Sequence, residues 1–303
     1  MSGLGIVRAS DFARKMFSGF PFGQGSEKKG RFAMNAKKIM AALAVTGCAL
    51  AGYSDVSSSN IVGYKGETLV PDNFSMIGVP FTAVDGKGAD LNNELMCTGV
   101  SGCDWADSDV CDFIHVYING DTWYFFYYNT DNNQWQSTED ERVFSEVFEE
   151  GIPAGTTMWF EANPNAERSE PVSVTFSGAV QGADSVVMPG LAGDNFNMIS
   201  NPYPVAYDIN NEAAVKFTGV SGCDWADSDI ADFIHVYING DTWYFFYYNT
   251  DNNQWQSTED ERVFSEVFED GITAGWWFEG NPNAERTVDL SIEFFSPLKK
   301  SAE

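Results

Sequence analysis

The residues with the clearest chemical potential are eight carboxylates in two matching segments. One segment is Cys103-Asp-Trp-Ala-Asp-Ser-Asp109 with Asp112 just beyond it, giving Asp104, Asp107, Asp109 and Asp112; the other gives Asp224, Asp227, Asp229 and Asp232. Carboxylates crowded this closely repel one another unless water or a hard cation lies between them, and oxygen-only ligands on a loop suit Ca²⁺. The spacing is not that of an EF-hand. Asn129, Asp131 and Asn133 alternate like the start of one, but Gln134 stands where its glycine belongs. A solvated acidic loop is the competing reading, so Ca²⁺ is the one candidate cofactor.

Catalytic constellations are scarce. His115 and His235 are the only histidines, so a histidine-rich zinc site is excluded. A Ser-His-Asp triad could form only around that one duplicated position, and no nucleophile-elbow motif accompanies it. Mid-strand among aromatics, the residue reads as a packed, hydrogen-bonded histidine. Hydrolysis by a carboxylate pair stays open, because it depends on separations that a sequence does not give. Aromatic side chains offer a second chemistry, the stacking of sugar rings. Its candidates are Tyr124, Phe126, Tyr128 and Trp135, with their counterparts Tyr244, Phe246, Tyr248 and Trp255. The alternative is that these rings form the core.

The elements that must position these residues come from an internal duplication. Thr98 to Glu150 and Thr218 to Asp270 align without a gap, and their 53 pairs differ only at Val110/Ile230, Cys111/Ala231 and Glu150/Asp270. Weaker similarity extends outward, giving units at about 58–182 and 183–296. Each is too long for a solenoid or propeller repeat. Within a unit, Asp112–Ile118 and Asp121–Tyr128 flank Asn119-Gly120, a hairpin signal with a two-residue turn. That turn sets Val116 opposite Trp123 and Ile114 opposite Phe125, leaving Tyr124, Phe126 and Tyr128 on the other face. Thr138 to Glu141 has capping-box form ahead of a short helix carrying Val143, Phe144, Val147 and Phe148, with Gly151 placed to end it. Short strands, frequent turns and one helix per unit predict a mainly β protein of two tandem, near-identical β-sandwich or barrel domains.

Cysteines and charge bear on compartment. Met34 to Tyr53 reads as an export signal, with Lys37 and Lys38 before an apolar run and Ala49-Leu50-Ala51 as the cleavage motif. The expected signal peptide is 34–51, behind an expected non-native extension at 1–33, with translation starting at Met34. Val45-Thr46-Gly47-Cys48 also fits a lipoprotein box, with Cys48 as the acylated residue. Of the four cysteines beyond it, Cys97 and Cys111 are both replaced in the second unit, by Phe217 and Ala231. Joint loss predicts a Cys97–Cys111 disulfide. The formal net charge is −27. Eight of the 17 basic residues precede Gly52, as do only two of the 44 acidic ones, so the remainder carries 42 acidic against nine basic residues. Such a surface repels phosphate backbones, which argues against nucleic acid partners, and no stretch is long and apolar enough for a membrane span.

Asn60-Ile-Val-Gly-Tyr64, the Asp-Asn-Phe-x-Met-Ile runs at 72–77 and 194–199, and Gly151-Ile-Pro-Ala-Gly155 before Met158-Trp-Phe160 resemble secreted repeat proteins of the Verrucomicrobia and Kiritimatiella groups. The resemblance implies an exported bacterial protein and no particular catalysis. The leading expectation is a secreted, non-enzymatic protein of the cell surface or extracellular matrix, binding a glycan or other surface polymer or associating with itself. The alternative is a carboxylate-dependent glycan hydrolase or lyase.

Overall fold

A computed structural model describes residues 62–297 except 72, 107–108, 119–121, 189–190 and 226–228. The export signal, the extension before it, Cys48, Asp107 and Asp227 lie outside the described residues. The first copy contains β1 (Val62–Thr68), β2 (Phe74–Gly78), α1 (Leu91–Glu94), β3 (Leu95–Thr98), β4 (Phe113–Ile118), β5 (Thr122–Asn129), β6 (Gln134–Ser137), α2 (Phe144–Val147), β7 (Thr157–Glu161) and β8 (Ser173–Ala179). The second contains β9 (Ser185–Val187), β10 (Phe196–Ile199), β11 (Val215–Thr218), β12 (Phe233–Ile238), β13 (Thr242–Asn249), β14 (Gln254–Ser257), α3 (Phe264–Val267), β15 (Trp276–Glu279) and β16 (Ser291–Phe295). The mainly β expectation holds. The strands form four small antiparallel sheets, in the orders β2-β7-β4-β5-β6 and β1-β8-β3 for the first copy and β10-β15-β12-β13-β14 and β11-β16-β9 for the second. The described residues all belong to one compact unit.

Both sheets of a copy feed one core. In the first copy Ile77, Ile114, Val116, Phe126, Trp135 and Phe160 come from the larger sheet, and Leu95, Val174 and Phe176 from the smaller. The second copy repeats the pattern with Ile199, Ile234, Val236, Phe246, Trp255 and Phe278 against Val215, Ile292 and Phe294. Side chains alternate across a strand, so one face of each larger sheet is committed to this core.

The hairpin register departs from the two-residue turn. Val116 stands opposite Tyr124 and Ile114 opposite Phe126, one residue away from the expected pairing. The second copy shows the cause: Ile238 pairs with Thr242, so Asn239, Gly240 and Asp241 form a three-residue loop. Asn239 and Gly240 take left-handed φ values of 55° and 73°, a conformation open to asparagine and glycine at little cost. A one-residue slip turns every side chain of a strand to its opposite face. It sends Tyr124, Phe126 and Tyr128 toward the core and turns Trp123 and Phe125 outward.

The outward rings meet the other copy. Trp159 lies 5.2 Å from Tyr237, 5.8 Å from Trp243 and 5.9 Å from Trp277, and Trp123 lies 6.1 Å from Trp277. These are the centroid spacings that aromatic pairs favour. Backbone joins the copies as well: Ser200 N–H donates to the Gly155 carbonyl at 2.6 Å, and Thr157 Oγ1 donates to the Ile199 carbonyl at 2.6 Å.

The helix is shorter than its capping signal suggested. α2 begins after Val143, whose N–H is taken by the Glu146 carboxylate at 3.1 Å. Glu141 has a left-handed φ of 60°, which keeps the preceding turn out of the helix. Gly151, at φ 68°, closes the segment by donating to the Phe148 carbonyl.

Candidate functional site

Two equivalent loops, one per copy, stand out from this frame because each carries an exposed tryptophan. Each is held at its base by a buried carboxylate. Asp112 has no exposed surface; it accepts from the Ser101 N–H at 2.7 Å, the Asn163 N–H at 2.7 Å and Arg168 Nη1 at 2.8 Å. Asp232 repeats this with Ser221, Asn281 and Arg286 at 2.7, 2.8 and 2.9 Å. Asn163 and Asn281 reach back to the Cys111 and Ala231 carbonyls at 3.1 Å each. A charge taken out of water persists only when its hydrogen-bonding capacity is met, and here guanidinium and backbone donors meet it.

The start of the loop is pinned to the hairpin. Cys103 N–H donates to the Tyr128 carbonyl at 3.1 Å and the Cys103 carbonyl accepts from Thr130 at 2.9 Å, while Asn129 Nδ2 donates to the Asp104 carbonyl at 3.2 Å. In the first copy a Cys103–Cys111 disulfide, with Cα atoms 5.8 Å apart, closes the loop. The loop then carries Trp105 at 59% exposure beside Val110 at 44%; the second copy carries Trp225 at 60% and Ile230 at 46%. Asp104, Asp109, Asp224 and Asp229 are exposed on the same loops.

Several expected roles are thereby corrected. Asp112 and Asp232 cannot serve as calcium ligands, since arginine and backbone donors occupy their oxygens. Among the described residues no group of three or more His, Cys, Asp or Glu side chains is placed to hold a metal. Asn129, Asp131 and Asn133 form a turn in which the Asn129 side-chain oxygen accepts from the Asp131 N–H at 2.8 Å. The cysteine pairing is Cys103–Cys111, not Cys97–Cys111. Cys97 lies on β3 opposite Val174 and packs on the core, where burial pushes its thiol up to about 12. Phe217, its counterpart, fills the matching space 5.1 Å from Trp255, so that replacement is a packing change. Cys223 is a buried free thiol, packed with Ala231 and Tyr247.

The aromatic platform expected on the hairpin is interior. Phe126, Trp135, Phe246 and Trp255 are buried, and Tyr124, Tyr128, Tyr244 and Tyr248 pack half-buried against the two cores. Besides Tyr64 on β1 and Phe125 on β5, the exposed rings are Trp105 and Trp225, outside the expected set although the sequence marks them: a tryptophan between aspartates in a loop has no strand face to join. His115 Nε2 lies 2.9 Å from the Glu161 carboxylate and His235 Nε2 lies 2.8 Å from that of Glu279. No described helix is long and apolar enough to cross a membrane. Set against protein-family models, curated proteins and solved structures, the chain matches none.

Proposed function

We propose that this is an exported, non-enzymatic binding protein that holds a surface polysaccharide between its two tryptophan loops, each copy being a small sandwich of one larger and one smaller sheet. The exposure of Trp105 and Trp225 at the same place in both copies carries the reading. An indole presents a broad apolar surface to the C–H face of a sugar ring, and the exposed carboxylates beside it accept hydrogen bonds from hydroxyls. Presentation on loops pinned to a rigid hairpin limits the ordering cost of binding. Two equal sites on one chain raise retention on a repetitive polymer well above that of either site. The disulfide fits an oxidising compartment outside the cytoplasm, which supports export.

The test is co-sedimentation with insoluble polysaccharides, read beside tryptophan fluorescence and reducing-sugar release. Trp105→Ala and Trp225→Ala, each leaving one site, should lose about 100-fold or more in retention, the range expected for lost bivalency, and the double variant should lose retention altogether. Retention equal to the parent in the double variant would refute the site. Release of reducing sugar would favour the hydrolase or lyase reading.

A further inference from the structure

We propose that a second copy of this chain docks on β1, strand against strand, across a two-fold axis through Gly66. β1 is the outermost strand of its sheet, and among the described residues no strand pairs along its other edge. It runs antiparallel to β8 through all seven residues, in unbroken one-to-one register and without proline. Such an edge offers a row of backbone N–H and C=O groups in the geometry that an added strand takes up.

Charge indicates what the added strand is. Copies of a chain with 44 acidic and 17 basic residues repel over most of their surfaces. The outward face of the β1-β8-β3 sheet is an exception. Tyr64 and Met96, 73% and 65% exposed, sit there among serines, threonines and small residues. Thr68 stands beside Ser173, and Thr98 beside Ser173 on the far side; no residue of this face is charged. The second copy has no equal. Its matching strand, β9, spans three residues, and Lys216 pairs with Glu293 on the corresponding face.

The strand sequence then selects the register. In Tyr64-Lys65-Gly66-Glu67-Thr68, antiparallel pairing about Gly66 sets Lys65 opposite Glu67 of the second copy, and Glu67 opposite its Lys65. Opposite charges directly across a strand pair attract. Within one chain Lys65 and Glu67 already lie 2.6 Å apart, so the four charges alternate in sign around the axis. Sliding the axis to Lys65 would set lysine against lysine. The pairing is isologous and closes on itself, joining two three-stranded sheets into one of six and giving a dimer, not a fibre.

Sedimentation velocity of the full chain across a concentration series tests this, and a mass of two chains is the expected result. Lys65→Glu places glutamates against glutamates across the axis, and Glu67→Lys places lysines against lysines, so each variant alone should sediment as a monomer. Mixed together, the two variants restore opposite charges at both positions, and the two-chain mass should return. Recovery on mixing cannot come from a folding defect within either chain. A parent that stays monomeric throughout the series, single variants that dimerise like the parent, or a mixture that stays monomeric would each overturn the proposal. The inference does not depend on the tryptophan loops: the chain carrying Trp105→Ala and Trp225→Ala should dimerise like the parent.

Discussion

Asp112 and Arg168 show how one ion pair can set the position of a binding loop. With no exposed surface on the carboxylate, the pair gains little from its charges alone, because desolvation offsets much of the attraction. Its effect is geometric: one carboxylate gathers Ser101, Asn163 and Arg168 around the loop base. Removing one partner leaves the other charge buried and unmatched. Arg168→Ala should therefore cost about 3–5 kcal/mol, read as a lowered urea midpoint. Trp105→Ala should stay within about 0.5 kcal/mol of the parent, the range for exposed substitutions. If Arg168→Ala were as mild as Trp105→Ala, the pair would not be holding the loop.

At the scale of elements, the difference between the copies at the loop base invites its own test. Cys223 sits where Cys103 does, and Ala231 where Cys111 does, on matching hydrogen-bond frames. Ala231→Cys should therefore form a disulfide with Cys223, detected by non-reducing peptide mapping. By the loop-closure relation it should add about 2–3 kcal/mol; a free thiol at both positions would show that the frames differ. Much of the fold is legible in the sequence: the duplication, the hairpin and Gly151 as a stop signal each reflect local chemistry that repeats in both copies. The hairpin register is not. Asn-Gly suits a two-residue turn, yet only the three-residue loop places Phe126 and Tyr124 in the core with Ile114 and Val116. That choice is made by packing far from the turn. The aromatic site goes with it, since a one-residue slip exchanges platform for core. The disulfide is hidden for another reason: the Cys97/Phe217 and Cys111/Ala231 differences coincide without sharing a cause, one being a matter of core volume and the other of a loop base.

For the whole molecule, what matters is how the copies hold each other. Their larger sheets meet through Trp159, Trp243, Trp277 and Tyr237; the Tyr237 hydroxyl donates to the Gly240 carbonyl, which also accepts from Asn73 of the other copy. Burial, reinforced by the nearby Asp241 carboxylate, pushes the Tyr237 phenol up to about 12. An unfolded tyrosine titrates near 10, so the fold favours the neutral phenol. The stability this contributes is fully present below about pH 10 and is lost as pH rises from there toward 12. Burial raises Tyr207 and Cys97 in the same direction, so part of the alkaline loss belongs to the cores. Tyr237→Phe separates the two contributions, because it keeps the ring against Trp159 while removing the proton. Its urea midpoint should fall less than the parent's between about pH 8 and pH 11. An equal fall in both proteins would place the alkaline sensitivity wholly in the cores, and the junction between the copies would then be indifferent to pH.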